Sequence, residues 1–373
     1  MIYFDNSATG GFKPWSVYET HEKVLRYLLA NPGRSGHKLS VTGAKLVFES
    51  RKSLSSMFDG IIERTIFTKN CTEALNLAIF GTVKKGGHVI TTVYEHNSVL
   101  RPLYYLKEQG IITLDVVAPK NSTLIKEIED KINKNTYLIV SSSASNVTGE
   151  ILPITEIGAI AKKHHLLFLV DGAQGAGHIP LSLTRDNISL LALAGHKGLC
   201  GIMGSGALLF NNEVEILPLI LGGTGTESLN LNQPTTYPEC LESGTINLPA
   251  IASLKEGVNY VKQNMENFGN LLVEKTKIII DFLNDNNKVK CYSKPNKIGI
   301  VSFSIEGFDS VEISDILNKE FDIAVRGGFH CAPLMHKFLN TENRGLVRVS
   351  LAVQNTHKEI LALLKAISDI SAR

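Results

Sequence analysis

Cysteine is scarce in this sequence, and its spacing excludes two kinds of scaffold. Five cysteines are scattered along 373 residues, and no C-x-x-C motif occurs. They are Cys71, Cys200, Cys240, Cys291 and Cys331. An odd count at such distances predicts neither a disulfide framework nor a structural zinc site, and we expect no metal. Most of the thiols should therefore be reduced and serve packing.

The sequence also lacks an excess of charge of either sign and any long hydrophobic run. Lys and Arg number 38 and Asp and Glu number 36, which gives a formal net charge of +2. Such a balance gives no reason to expect a nucleic acid or an anionic membrane as a partner. No run reaches the roughly 18 apolar residues of a membrane span. The opening MIYFDNSATGG has no basic stretch and carries Asp5, unlike a signal peptide, so we expect a cytoplasmic location.

What the sequence does contain is a regular alternation of strand-like and helix-like segments. Short β-branched runs such as TYLIVSS (136–142) and HLLFLVD (165–171) are separated by amphipathic stretches such as ILPITEIGAIAKKH (151–164). This alternation predicts an α/β fold with a mostly parallel sheet covered on both faces. From about residue 248 one long amphipathic helix is predicted, which Gly269 could interrupt, and a smaller α+β unit follows. A length of 373 residues also favours two domains.

Polar residues follow several of the predicted strands, at the edge where open α/β sheets bind ligands. Thr72 and Asn70 lie where an Ala/Leu-rich helix begins, and this helix start is either a phosphate site or a plain cap. His96 follows the next strand and is either structural or a platform for a planar ligand. Asn146 follows a further strand, where it is either a turn residue or a ligand contact.

Two charged residues at strand ends give the strongest chemical signal. Asp171 ends a run of five apolar residues, so its carboxylate is costly there unless a cation pairs with it. A protonated pyridine nitrogen meets that need, and an N-cap or a metal ligand is the alternative. Lys197 follows an apolar strand in a glycine-rich loop, where an amine removed from water forms Schiff bases readily. Taken alone, Lys197 could equally lie in a surface loop.

A cysteine and two arginines in the C-terminal part complete the set of candidates. Cys331 lies in a short loop after Arg326 and close to His330, whose cationic side chains would favour the nucleophilic thiolate. A free cysteine taken alone is more commonly a packing residue. Arg348 alternates with apolar residues on a predicted strand, and we expect it to pair with a carboxylate of the protein or of a substrate.

Together these motifs resemble the class V aminotransferase group of fold-type-I enzymes that use pyridoxal phosphate (PLP). The resemblance extends from YFDNSAT (3–9) to VRVSLAVQNTHKE (347–359), which is nearly the whole sequence. The pair VDGAQ (170–174) and GHK (195–197) is specific for this superfamily. RGGFHCAPL (326–334) is specific for its desulfurase branch. Within the group, the sequence looks most similar to the SufS-like (group II) cysteine desulfurases and selenocysteine lyases.

The resemblance implies a fold-type-I PLP-dependent transferase, with a large PLP-binding domain of residues 14–250 and a small domain formed by 1–13 and 251–373. It also assigns roles to residues of the site. Lys197 would hold the cofactor covalently, Asp171 would pair with its pyridine nitrogen, and His96 would stack on its ring. The other cofactor contacts would be Asn146 and Gln174 on the ring-hydroxyl side, Thr72 and His196 at the phosphate, and Thr245 at the phosphate of a partner subunit.

The same resemblance implies how substrate and sulfur are handled. Arg348 would bind the substrate carboxylate, with Arg326 and Asn146 on the substrate side, and Cys331 would receive the sulfur. The predicted reaction converts L-cysteine to L-alanine and leaves a persulfide on Cys331. The alternatives are a selenocysteine lyase, another class V aminotransferase or lyase activity in which Cys331 is incidental, and a non-catalytic scaffold.

Some implications concern partners and departures from the family pattern. Because Thr245 would reach across an interface, a homodimer is implied, and a sulfur-acceptor protein is a further candidate partner. Arg34 and His37 match a stretch near the mouth of the site, with no role assigned. Ala194 replaces a Ser or Thr that usually adds a hydrogen bond to the phosphate, a loss of very roughly 1 kcal/mol.

Overall fold

The chain folds as a mixed α/β protein. It is described by a computed structural model that covers residues 1–119 and 123–373. The strands are β1 Ile2–Tyr3, β2 Thr65–Thr68, β3 Gly87–Thr92, β4 Ile112–Val117, β5 Thr136–Ser142, β6 Leu167–Asp171, β7 Leu190–Ala194, β8 Gly206–Phe210, β9 Val289–Cys291, β10 Ile300–Ile305, β11 Ile323–Ala324, β12 Arg326–Gly328 and β13 Leu346–Ser350. The helices are α1 Trp15–Tyr27, α2 Lys38–Met57, α3 Cys71–Gly81, α4 Asn97–Glu108, α5 Leu124–Asp130, α6 Ile154–Lys163, α7 Leu248–Asn284, α8 Ser310–Phe321, α9 Pro333–Leu339 and α10 His357–Ser371.

Seven of these strands form a central sheet in the order β2-β8-β7-β6-β5-β3-β4. The neighbours from β7 to β4 are parallel, and β8 runs antiparallel to β7 and to β2. Side chains alternate between two apolar cores, one on each face: on β7, Leu191 and Leu193 enter one core while Leu190 and Ala192 enter the other. A strand buried on both faces has to be apolar throughout. The predicted mostly parallel sheet is therefore confirmed.

A second, antiparallel sheet in the order β12-β13-β10-β9 organises the C-terminal part of the chain. The first residues join it, because β1 pairs in parallel with β11 and the backbone of Phe4 bonds to Ala324 and Ser350. Phe4 also belongs to the core of this unit, whose other members lie between Leu272 and Ile370. The domain boundaries, 14–250 against 1–13 with 251–373, remain a prediction.

The helix α7 spans 37 residues without a break, so the suggested interruption at Gly269 is wrong. Gly269 is buried, and a Cβ atom there would lie 3.2 Å from the Lys297 side chain, so the small residue serves close packing. The helix begins with an Asn247 cap and with Pro249 in its first turn. Neither α7 nor any other helix in the described ranges has the length and apolar character that crossing a membrane requires.

The carboxyl ends of β3, β5, β6 and β7 lie side by side in the central sheet. Each end leads to one candidate residue: His96 follows β3, Asn146 follows β5, Asp171 ends β6 and Lys197 follows β7. Because parallel strands end at the same edge of the sheet, four residues spread over about a hundred positions of sequence meet at one place.

Candidate active site

A cavity opens at this edge of the sheet and gathers most of the predicted cofactor residues. Its lining comprises Asn70, Cys71, Thr72, His96, Ser98, Ser142, Ala144, Asn146, Asp171, Ala173, Gln174, Ala194, His196 and Lys197. Arg326, Cys331 and Arg348 come from the smaller unit and lie beside it, whereas Thr245 lies elsewhere. Among the described residues, no group of three or more His, Cys, Asp or Glu side chains is arranged to hold a metal ion.

Lys197 lines this cavity with an amine whose basicity is reduced. Removal of water lowers the pKa of its ammonium group, and the nearby carboxylate of Asp171 opposes that shift. The guanidinium groups of Arg348 and Arg326 lower the pKa further. A neutral amine is the form that attacks a carbonyl group, so the surroundings suit a lysine that forms a Schiff base with an aldehyde.

The carboxylate of Asp171 is 4% exposed and is held through one of its two oxygens. Oδ1 accepts hydrogen bonds from the Ala173 backbone at 2.9 Å and from the thiol of Cys71 at 3.5 Å. Within the described residues, Oδ2 receives no hydrogen bond. Burial, and next the charge of Asp171, raise the pKa of Cys71 well above its usual value, so the group stays a thiol and a donor. Sequence reasoning treated Cys71 as a packing residue, and its link to Asp171 was missed.

The open hydrogen-bonding groups of this cavity can be compared with those that a pyridinium ring requires. A buried carboxylate is stable only when a cation or several donors compensate for its lost hydration. With Oδ1 already satisfied, Oδ2 is available to a protonated ring nitrogen in the cavity. Asn146 supplies a second open group, since its side-chain Oδ1 is buried and has no partner among the described residues. Together with the Lys197 amine, these groups fit PLP.

His96 caps the start of α4, and its ring is held in a fixed orientation. Its Nδ1 accepts a hydrogen bond from the Ser98 backbone at 3.0 Å and lies 2.8 Å from the Ser98 hydroxyl. Burial lowers the pKa of His96 to about 4. The ring is therefore neutral near pH 7, and a neutral aromatic face is suited to stacking on a planar cofactor.

The other end of the cavity is formed by the start of α3. Asn70 is the cap, since its side chain accepts from the backbone of Glu73 at 2.9 Å, and Thr72 follows in the first turn. Free backbone N–H groups at a helix start favour an anion, so Thr72 is well placed for a phosphate. His196 also lines this cavity, and burial lowers its pKa to about 4, so its ring is neutral near pH 7.

Arg348 is 1% exposed and already has a carboxylate partner within the protein. Its Nη2 donates to Asp5 Oδ1 at 2.9 Å, and its Nη1 donates to the Asn146 backbone carbonyl at 3.0 Å. Its Nε is buried without a partner in the described residues. Sequence reasoning left open whether the partner would be a protein or a substrate carboxylate, and it did not identify Asp5.

Cys331 lies in a strained loop that is fastened to the large unit. Both His330 and Cys331 have left-handed backbone angles, with φ of 49° and 57°. The Asn97 backbone donates to the Cys331 carbonyl at 2.7 Å, and the Asn146 side chain donates to the His330 carbonyl at 2.6 Å. These two bonds fix the loop beside His96 and Asn146, at the rim of the cavity.

Only one of the two predicted cationic neighbours of Cys331 is charged. Arg326 donates from Nη2 to the Cys331 sulfur at 3.7 Å. His330 is 2% exposed, its Nε2 lies 3.0 Å from the Leu346 carbonyl, and burial lowers its pKa to about 2. His330 is therefore neutral, and the expectation that it adds positive charge at the sulfur is wrong.

Thr245 is exposed and lines a separate groove with Lys69 and Ile220. The nearby Arg34 donates to the carbonyl of Gly223 at 2.5 Å, so it holds the 221–228 loop close to Thr245. His37 caps α2, because its Nδ1 accepts from the Ser40 backbone at 3.2 Å. These positions give Arg34 and His37 structural roles, which the sequence had left open.

The comparisons with known proteins agree with this geometry. The family model described as "Aminotransferase class-V" matches residues 2–363, so the chain belongs to the class V aminotransferase family, as predicted. Similar curated proteins include the probable cysteine desulfurases of Methanothermobacter thermautotrophicus, 29% identical over 99% of this chain and 94% of the relative, and of Pyrococcus abyssi, 32% identical with the same coverage.

A solved structure gives the same result for the fold. The apo structure of a cysteine desulfurase from Thermococcus onnurineus NA1 superposes with a TM-score of 0.92 at 32% identity, and the match covers 100% of this chain and 94% of the other. The predicted fold class, that of the fold-type-I PLP enzymes, is therefore confirmed.

Glu95, next to His96, is a buried acid that sequence reasoning missed. It is 0% exposed. Its carboxyl accepts from the Thr92 hydroxyl at 2.6 Å and from the backbone and hydroxyl of Ser142 at 3.0 and 2.7 Å. It thereby ties the end of β3 to the end of β5, where Ser142 lines the cavity. Burial raises its pKa from 4.5 to about 7.

We expect Glu95→Gln to remove a pH-dependent loss of stability. Between pH 4.5 and about 7, the unfolded chain releases a proton that folded Glu95 keeps. The wild type therefore loses stability as the pH rises through this range, since stability falls wherever the folded state binds more protons. Gln stays neutral, so the variant should gain about 3 kcal/mol over the wild type above this range.

Urea unfolding at several pH values between 5 and 8 measures this difference. The free-energy gain of Glu95→Gln should shrink toward zero at the acidic end. The exposed Glu108 on α4 offers a matched control, because Glu108→Gln makes the same chemical change at the surface. A gain that is constant with pH would show that Glu95 is not the titrating group.

Proposed function

We propose that this protein is a PLP-dependent cysteine desulfurase that converts L-cysteine to L-alanine and takes the sulfur as a persulfide on Cys331. The observation that carries the proposal is the position of Cys331. Its loop is fastened by Asn97 and Asn146 to the rim of the cavity that contains Lys197 and Asp171, with Arg326 at the sulfur. The family and the named relatives support the same activity.

The residues of the cavity would hold the cofactor in a defined orientation. Lys197 would bind it covalently, Asp171 would receive the ring nitrogen through Oδ2, and the neutral ring of His96 would stack on its face. Asn146 and Gln174 would lie on the ring-hydroxyl side, and Thr72 and His196 at the phosphate. When bound, PLP supplies a cationic ring that withdraws electrons from the substrate carbon.

The residues of this chain then divide the reaction among them. Arg348 binds the α-carboxylate of cysteine, with Arg326 and Asn146 on the same side of the site. The amine of Lys197 would accept the proton from Cα, since its lowered pKa suits a general base.

Sulfur transfer is assigned to Cys331. The guanidinium of Arg326 stabilises negative charge on its sulfur, and this thiolate attacks the sulfur of the substrate. A bond forms between the two sulfur atoms as the Cβ–S bond of the substrate breaks. The electron pair of that bond remains on the substrate, which takes up a proton and leaves as alanine. The balance is one cysteine and one thiol in, one alanine and one persulfide out.

Selenocysteine lyase is the second candidate, because the same residues would handle a selenium atom in place of sulfur. A class V aminotransferase or another lyase is the third, and in that reading Cys331 is incidental. The contact between Arg326 and the Cys331 sulfur favours desulfuration, since an incidental cysteine needs no cation. A cytoplasmic enzyme that passes sulfur to an acceptor protein is the setting we propose.

We also propose a homodimer that buries the face around Thr245. Five large apolar side chains of the segment 219–231, which is tied to this region by the bond from the Gly244 backbone to the Gly223 carbonyl, are at least 47% exposed. They are Leu219, Ile220, Leu221, Leu229 and Leu231. A surface of this kind on a folded chain marks an interaction site. In such a dimer Thr245 would reach the phosphate of the partner's cofactor.

The Lys197→Ala variant should lose the covalent link to the cofactor. Borohydride reduction of the wild-type holoenzyme should fix PLP on the peptide that contains Lys197, and mass spectrometry of the digest locates it. Lys13→Ala is the matched control, since Lys13 also lies nearby, with its amine 3.0 Å from the His196 carbonyl. Reduced cofactor on any other lysine would refute the assignment of Lys197.

The Cys331→Ser variant should still bind cysteine but should form alanine at least about a hundredfold more slowly, because a hydroxyl is not an adequate nucleophile toward sulfur. The absorption change on mixing with cysteine reports binding, and alanine assay reports turnover. Wild-type protein should carry one additional sulfur atom on the peptide containing Cys331, removable by reductant. Cys291→Ser, on the small sheet, should behave as wild type. Full activity in Cys331→Ser would contradict the desulfurase proposal.

Replacing Leu229 and Leu231 with Asp should shift the dimer to monomer, because the interface would then bury two charges. Sedimentation velocity measures the shift, and equilibrium dialysis measures the accompanying loss of PLP affinity. Leu361→Asp provides the control, since Leu361 is an exposed leucine, 52% accessible, on the distant helix α10. A wild-type monomer with full PLP occupancy and activity would exclude this role of the dimer.

A further inference from the structure

The first strand of the chain delivers an acid to the substrate-binding arginine. β1 pairs with β11, and the Phe4 carbonyl accepts from the Ser350 backbone at 2.7 Å. The hydroxyl of Tyr3 donates to the Asp5 carbonyl at 3.1 Å. These bonds hold Asp5 beside β13, and its carboxylate accepts from Arg348. The position of Asp5 is therefore fixed by the fold, and its contact with Arg348 is not an incidental surface contact.

The charges around Arg348 explain why an acid is needed there. Arg326 lies directly opposite Arg348 in the register of β12 and β13, so two like charges face each other. Arg348 is 1% exposed, and a guanidinium does not lose its proton. Among the described residues, Asp5 provides the one carboxylate within hydrogen-bonding distance of this buried cation. Without substrate, the positive charge of Arg348 is therefore compensated chiefly by Asp5.

The same geometry places Asp5 in competition with any carboxylate ligand. Nη1 of Arg348 is engaged by the Asn146 carbonyl, Nη2 is engaged by Asp5, and Nε has no partner in the described residues. A carboxylate bound in the preferred bidentate way needs two neighbouring N–H groups of the guanidinium. Each Nη also carries a second N–H, so donors remain for an incoming carboxylate beside Asp5. The two carboxylates then compete for the positive charge of the same guanidinium group.

We propose that Asp5 is a specificity-determining residue, a built-in counter-ion of Arg348 that competes with the α-carboxylate of the substrate and product. This inference rests on the proposed function, in which Arg348 binds that carboxylate. Asp5 keeps the arginine in position between turnovers and lowers the affinity of Arg348 for the carboxylate of the ligand. Because cysteine and alanine carry the same carboxylate, the competition also favours release of alanine after each turnover.

Binding of L-alanine and ethylamine to the holoenzyme tests this proposal, because the two ligands differ only in the carboxylate. Absorption titration measures both dissociation constants. In Asp5→Asn, which removes the charge and keeps the shape, alanine should bind about tenfold more tightly, the effect of one charge-assisted interaction. Ethylamine binding should be unchanged. An unchanged or weakened affinity for alanine in this variant would overturn the proposal.

Two controls separate this inference from the proposed function. Asp322→Asn removes a charge next to the same strand, where Asp322 contacts the N-terminal amine and has a φ of 56° that Asn tolerates, and it should leave both ligands unaffected. Arg348→Lys should weaken alanine but not ethylamine. If Arg348→Lys leaves alanine binding unchanged, the proposed carboxylate role of Arg348 fails. If it weakens alanine while Asp5→Asn has no effect, only the inference about Asp5 fails.

Two further variants keep the proposal testable if Asp5→Asn does not fold. Asp5→Ser is also neutral and should tighten alanine binding in the same direction. Asp5→Glu retains the charge and should bind alanine within about twofold of the wild type. If both neutral variants fail to fold while Asp5→Glu folds and binds normally, Asp5 is a structural partner of Arg348 alone, and the competition is refuted.

Discussion

The turn that follows β5 makes the contact between the two units on which the rest of the site depends. The carbonyl groups of Asn146 and Val147 accept hydrogen bonds from Arg348 and Ser302 of the small sheet. The Asn146 side chain donates to the carbonyl of His330, in the loop that carries the cysteine. All of these groups are buried, so each would be left unsatisfied if the two units moved apart. One short turn of the large unit thus positions both the arginine and the cysteine.

Burial of the site determines which of its basic side chains are charged near pH 7. Burial brings the pKa of His96 and His196 to about 4, so the histidines are neutral near pH 7. It also lowers the pKa of Lys197, which favours the neutral amine. Arg326 and Arg348 keep their charge in the same surroundings because guanidinium groups do not deprotonate. The site therefore contains nucleophiles, flat neutral rings and fixed cations, although every one of these residues is nominally a base.

Local patterns were sufficient to predict the parts of the site that lie at strand ends. Asp171 and Lys197 were found because a charged residue directly after a buried strand is costly, and the sheet order brings them together. The contacts of Asp5 and Cys71 could not be found in this way. Their partners are 343 and 100 positions away, and nothing in the local sequence marks either residue as a neighbour of a charge. His330 was misjudged for a related reason, since its charge depends on burial that the loop sequence does not reveal.

The pairing of β1 with the small sheet has a consequence for folding. Asp5 and Arg348 are separated by 343 residues, so the loop between them closes only when both ends of the chain have reached the same sheet. Contacts of such sequence separation form slowly, because the entropy of closing the loop is lost before the contact is gained. During synthesis, the cavity lined by Lys197 has all its residues long before Arg348 emerges. The assembly of the cavity around Lys197 and the formation of the contact between Asp5 and Arg348 should therefore be separate events in time, with the N-terminal strand docking last.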